Sequence, residues 1–166
     1  MSAGFPIIID IEASGFGRGS YPIEIGLALA DGRSECMIIT PEPNWCHWDS
    51  RAQMLHGLTR DVLSLHGRPV LEVAQRLNTL LARRVVYSDG WGNDSSWLGL
   101  LYQATGMVPA FRVDSVRRLL SEVEVAYWHR IKREVTSSVG FPRHRASNDA
   151  WIIQETLRRV RVEASY

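Results

Sequence analysis

The chain has 166 residues, 45% of them hydrophobic and 22% charged, and a net charge of +1 at pH 7. That length fits one domain, spanning 1–166, with a substantial core, and the composition excludes a disordered or fibrous chain. Two cysteines, Cys36 and Cys46, are too few for a secreted disulfide framework, and no segment is long enough to span a bilayer, so a soluble cytoplasmic protein with buried thiols is expected.

In chain order, the first element is carried by "GFPIIIDIEASGFG" (4–17), an isoleucine run with every mark of a buried strand that nevertheless holds two carboxylates. Side chains of a strand alternate, so Ile8, Asp10 and Glu12 share one face and Ile7, Ile9 and Ile11 the other. Two like charges side by side are costly in a low-dielectric setting unless a cation compensates both, and a hard divalent metal would do so. A solvated acidic edge is the alternative, and a lone Asp-x-Glu does not decide between them.

"GRGS" reads as a turn, "YPIEIGLALA" (21–30) as a second strand and "SECMIIT" (34–40) as a third, with Asp31-Gly32 as the hairpin signal between them. Strands one to three therefore form a meander, ended by Pro41 and Pro43. Short helices broken by Gly57 and Gly67 follow, then a well-patterned helix opened by Pro69. "VVYS" (85–88) is a fourth strand, residues 94–106 a helix with a glycine stop, and "AFRVDS" a fifth strand. "VRRLLSEVEVAYWHRIKREV" (116–135) is helical throughout, and "SNDAWIIQETLRRVRVEA" is a last helix with Ser147 as its cap. The later strands arrive through helical crossovers and should be parallel, which makes an α/β domain. Trp45, Trp48, Trp91 and Trp97 are read as packing residues, His56 as a loop or helix-end residue and His129 as a surface residue.

The charge is uneven along the chain. Residues 1–83 hold 7 basic and 9 acidic side chains, residues 84–166 hold 12 and 9, and all but Lys132 of the cations are arginines. Arginine's planar fork suits phosphate contacts, although Arg83-Arg84, Arg117-Arg118 and Arg158-Arg159 fit solvated helix ends equally well.

Two further carboxylates give Asp10 and Glu12 company. Asp94 opens a helix just after a strand and a glycine-bearing loop. Asp149 lies in the first turn of the last helix, with His144 five residues ahead. Five residues amount to about 140° around a helix, so His144 is better placed on the loop, reaching over the same site.

These pieces together resemble the DEDDh exonucleases, the DnaQ-like family that includes polymerase proofreading subunits, RNase T and oligoribonuclease. The first motif is Asp10-Ile11-Glu12 followed by Ala13-Ser14-Gly15. The second is Asp94 followed by Ser95-Ser96-Trp97-Leu98. The third, His-x-x-x-x-Asp, is His144 to Asp149, and "YPIEIGLAL" and "MLHGLT" match the family's second strand and early helix region. Asp89 competes with Asp94, but only Asp94 precedes a helical segment as the family pattern requires. Ala13 stands where threonine or cysteine is more usual.

The resemblance implies a ribonuclease H-like fold, a central five-stranded mixed sheet flanked by helices. It implies Asp10, Glu12, Asp94 and Asp149 as ligands of two divalent cations, Mg²⁺ or Mn²⁺, with His144 as general base. Hard cations take oxygen ligands, and a pair of them suits in-line displacement at phosphorus. Two dications would take the formal charge from +1 to +5, which suits a polyanion. Nucleotide contacts are expected at Ala13, Ser14 and Gly15, and phosphate contacts at Arg143 and Arg145. The expected activity is 3′-5′ exonucleolytic release of nucleoside 5′-monophosphates from single-stranded RNA or short oligonucleotides. A 3′-5′ DNA exonuclease and an inactive nucleic-acid-binding module are the alternatives, and a homodimer is left open.

Overall fold

The computed structural model describes residues 4–165. Its strands are Ile8–Ala13 (β1), Pro22–Ala28 (β2), Ser34–Ile38 (β3), Val85–Ser88 (β4) and Arg112–Ser115 (β5). Its helices are Ser50–His56 (α1), Arg60–His66 (α2), Val70–Leu81 (α3), Trp91–Thr105 (α4), Glu122–Ser138 (α5) and Ala146–Glu163 (α6). The five strands form one sheet in the order β3-β2-β1-β4-β5. β1, β2 and β3 pair antiparallel as the meander requires, whereas β4 pairs parallel with both β1 and β5. This is the mixed α/β sheet expected from the sequence.

Alternation along β1 divides the interior into two cores. Ile7, Ile9 and Ile11 pack with Val73 and Leu77 of α3 and Leu98 and Leu101 of α4. Ile8 on the opposite face packs with Trp128 and Ile131 of α5 and Ile153 and Leu157 of α6. α3 can cover its face because Val70, Val73, Ala74, Leu77 and Leu81 recur at helical spacing and are all buried. β2 is buried along its whole length, including Glu24.

Some local expectations change. α4 begins at Trp91, so the glycine-bearing loop becomes its first turn, and Trp91 is 47% exposed rather than folded over the core. Its indole N–H donates to the Val113 carbonyl. The stretch 116–135 is interrupted: Val116–Leu119 is a 3₁₀ turn, and Ser121 starts α5 with a reciprocal capping box to Glu124. Pro69 occupies the N-cap of α3, one position before its first helical residue. Ser147 is not the cap of α6 but its second residue, since Arg145 holds the cap position. Cys36 and Cys46 are both exposed thiols. Trp45, Trp48 and Trp97 do pack, Trp45 by stacking on Tyr21 at 5.3 Å. His129 is exposed, as expected.

α6 starts where it does because of a glycine on the neighbouring strand. A Cβ at Gly26 would lie 2.0 Å from the Ala146 carbonyl carbon and the Ser147 nitrogen, so the first turn of α6 rests directly on the backbone of β2. Among the described residues, no helix is long and apolar enough to cross a membrane.

Candidate active site

The parallel and antiparallel halves of the sheet meet at β1, which carries Asp10 and Glu12. The ladder with β2 shifts register between Glu12 and Ala13, a bulge that ends regular pairing beside the acids. β1, the first turn of α4, the end of α1 and the first turn of α6 converge on a cleft of about 260 Å³. Asp10, Glu12, Asp94, His144 and Asp149 all line it.

Each acid has a different setting. Asp94 is 4% exposed and accepts a hydrogen bond from the Ser88 hydroxyl at the end of β4. Burial pushes its carboxyl up to about 7, opposed by that hydrogen bond and reinforced by the charge of Asp89. Burial, then the nearby charge of Asp149, pushes Glu12 up to about 7. Burial also raises Asp10 well above the ordinary carboxylate range, with Asp94, Glu12 and Asp149 adding repulsion. Asp149 is held by Arg143, whose Nε donates to Oδ1 at 2.8 Å, and by the His144 backbone N–H, which donates to Oδ2 at 3.3 Å.

His144 lies on the loop before α6, at φ 59°. One ring nitrogen comes within 4.8 Å of a carboxylate oxygen of Glu12 and of Asp149, and those two oxygens also lie within 4.8 Å of each other. Among the described residues, no cation forms an ion pair with Asp10, Glu12 or Asp94. Crowded, desolvated carboxylates without a protein countercharge fit hard divalent cations. Asp10, Glu12, Asp94 and Asp149 are the residues that would hold them. Asp89, the rival of Asp94, points elsewhere and pairs with Lys132.

The expected nucleotide contacts separate into two groups. Ala13 and Gly15 line the cleft. Ser14 lies beneath it, 1% exposed, its Oγ accepting the Tyr21 N–H and meeting His47 Nδ1 at 3.0 Å. A Cβ at Gly15 would lie 2.7 Å from Asp49 Cβ, so only glycine fits the turn that follows β1. Arg145 is not among the residues lining the cleft; it grips the fully buried Glu24, Nη2 to Oε1 at 2.6 Å and Nε to Oε2 at 3.1 Å. The Ala146 N–H donates to the same carboxylate at 2.8 Å. Arg145 is thus committed to fastening the third motif to β2.

The sequence pattern did not reveal the apolar rim of this cleft. Phe16, 68% exposed, leans on Trp97 with ring centroids 5.9 Å apart, and Leu55, 58% exposed, lines the cleft from α1. An exposed aromatic between Gly15 and Gly17, just beyond the paired acids, was the available signal. His56 also lines the cleft, as the last residue of α1. Its Nδ1 accepts the Leu58 N–H, and burial lowers its pKa, which keeps the ring neutral.

No protein-family model matches the chain, and no curated protein matches it in sequence. Solved structures do match in shape. A full-length 3′-exonuclease superposes with a TM-score of 0.67 at 13% identity, over 99% of this chain and 84% of that one. The chain has the fold of a 3′-exonuclease. E. coli exonuclease I in complex with a dA16 oligonucleotide matches with a TM-score of 0.69 at 12% identity, over 95% of this chain and 42% of its own. The zinc-bound exonuclease I–ssDNA complex from E. coli matches with a TM-score of 0.68 at 14% identity, over 96% and 41%. The chain therefore spans about two-fifths of the exonuclease I chains, and the shared part is this sheet with its helices.

Proposed function

We propose that the protein is a divalent-metal-dependent 3′-5′ exonuclease that releases nucleoside 5′-monophosphates from single-stranded ends, RNA or short oligonucleotides being the substrate. The carrying observation is the convergence of Asp10, Glu12, Asp94 and Asp149 with His144 in one cleft, where the first three have no cationic partner among the described residues. Two bound Mg²⁺ or Mn²⁺ ions would neutralise the carboxylates and the charge that builds on the scissile phosphate.

The chain's own groups supply the rest. On this reading His144 takes the proton of the attacking water, a role supported by its position in the cleft and by the hydrogen bond from its backbone N–H to Asp149. Arg143 holds Asp149 in place and adds positive charge at the edge of the site. Phe16 and Leu55 offer apolar surfaces against which a terminal base can lie, and Ala13 and Gly15 allow the strand to approach β1 closely.

One observation favours DNA as a second reading: exonuclease I, which shares the fold, has been solved with single-stranded DNA. Matched 5′-labelled RNA and DNA strands, incubated with Mg²⁺, Mn²⁺ or chelator, test the proposal. A ladder shortening from the 3′ end only with metal is expected. Metal-independent cleavage, internal cuts, or no cleavage of either strand would overturn it.

A further inference from the structure

α5 carries a second feature, outside the cleft. His129, Lys132, Arg133, Thr136 and Ser137 fall at i, i+3, i+4, i+7 and i+8, so they form one stripe along the helix. With Arg143 from the loop before α6 they line a groove of about 310 Å³. Four of these six side chains are basic types and the other two carry hydroxyl donors. A helix face that only meets solvent usually mixes charge signs, as the neighbouring face of α5 does: Arg130 there pairs with Glu134 at 2.9 Å and with Glu163 at 2.7 Å. Beside the groove lies a smaller hollow of about 200 Å³; His129 and Lys132 line both, and Arg117 adds another cation to the hollow. The acid there, Asp89, is already paired with Lys132.

The groove is joined to the cleft through one residue. Arg143 lines the groove while its Nε donates to Asp149. We propose that this groove carries the sugar-phosphate backbone of the substrate strand beyond the nucleotide being cleaved. The proposal rests on the exonuclease reading for its substrate. From residue 129 to 137 the helix advances roughly 12 Å, enough to follow a few nucleotides. Arg133, which forms no ion pair among the described residues, together with the hydroxyls and the partly exposed Lys132 and Arg143, sets donors along a track rather than at one point, which gives binding that does not depend on sequence and weakens with salt.

The test compares a single-stranded 12-mer with the p-nitrophenyl ester of thymidine 5′-monophosphate, which is too short to reach the groove. In the His129→Glu/Arg133→Glu double variant, the ratio of kcat/KM for the 12-mer to that for the ester should fall about tenfold. The fall should come through KM, and the dependence of binding on log salt should become shallower by roughly 0.7 for each phosphate no longer neutralised. Arg133→Gln should show a smaller fall in the same direction. An unchanged ratio in both variants overturns the proposal. If wild-type protein cleaves neither substrate, the exonuclease reading fails. The groove is then read by fluorescence anisotropy of a labelled 12-mer at low salt, where the double variant should bind about tenfold more weakly and equal binding overturns it. Competition by a poly-glutamate peptide as effective as an oligonucleotide of equal charge would assign the groove to acidic polypeptides and also overturn it.

Discussion

Glu12 and Glu24 face each other in register across the β1–β2 ladder, yet the fold treats them in opposite ways. Glu24 is fully buried and surrounded by donors: the Arg145 guanidinium, the Ala146 N–H and the Cys36 thiol. Glu12 is half-buried, close to Asp149, and has no cation paired with it among the described residues. Burying a carboxylate is costly unless its charge is met. β2 meets it with the protein's own arginine, whereas β1 leaves an unmet charge at the place where a cation would be useful. On the proposed reading, the contrast separates a carboxylate that holds the structure together from one kept for chemistry.

The sharpest way to break this contrast is to remove charge on the cleft side. Asp94→Asn and Glu12→Gln should each abolish measurable turnover on a labelled strand while the folded circular dichroism spectrum is retained. Asp89→Asn should remain active, because Asp89 is paired with Lys132 outside the cleft. Loss of activity in Asp89→Asn with survival in Asp94→Asn would reverse the ligand assignment. Next in size, His144→Ala should lower kcat by about 10²–10⁴-fold with little change in KM. Near-normal turnover would remove it as the general base.

Stability should then separate the two glutamates by sign. Glu24→Ala leaves Arg145 and the Ala146 N–H without their partner and should cost about 2–3 kcal/mol in urea denaturation. Glu12→Gln should instead stabilise the metal-free protein, since it removes a repelled charge. Destabilisation by both would erase the distinction.

The smallest effect expected is the pH dependence of melting without metal. Glu12 and Asp94 are pushed up to about 7, so in the fold they keep protons that the unfolded chain has already lost. Stability from these groups therefore falls as pH rises from about 4 to about 7, and the penalty is complete above that window. Metal-free protein should therefore melt at a higher temperature at pH 5 than at pH 8. The difference should shrink in Asp94→Asn, and saturating Mn²⁺ should raise the melting temperature at pH 8. A melting temperature at pH 8 indifferent to Mn²⁺ would argue against a preformed cation site.

Much of this arrangement was legible in the sequence, for local reasons. Alternation in "IIIDIE" placed Asp10 and Glu12 on one face, and the Asp31-Gly32 turn dictated the meander that sets β2 beside them. His144 was legible because the helical angle between it and Asp149 excluded a shared helix face. Asp94 stood out from Asp89 only through the family pattern, and the structure separates them by burial. The bond from Arg145 to Glu24 was not legible, because Glu24 lies far away in sequence and nothing local couples them. The capping box at Ser121 was written in Ser-x-x-Glu form but was hidden by the apolar pattern on both sides. The stripe on α5 was visible only as scattered basic residues until the helix and the loop at Arg143 came together.

The seat of α6 on Gly26 and the clasp between Glu24 and Arg145 join segments separated by 121 residues. Pairings of that separation cannot form until the whole stretch between them has been made. A nascent chain that has released only its first 140 residues already carries Asp10, Glu12 and Asp94 but lacks Asp149 and the clasp. The strands can pair and α3 can dock while the acids stay apart from their fourth member. On the proposed reading, hydrolytic competence would then arrive only once α6 is in place, because Asp149 and the clasp come with it.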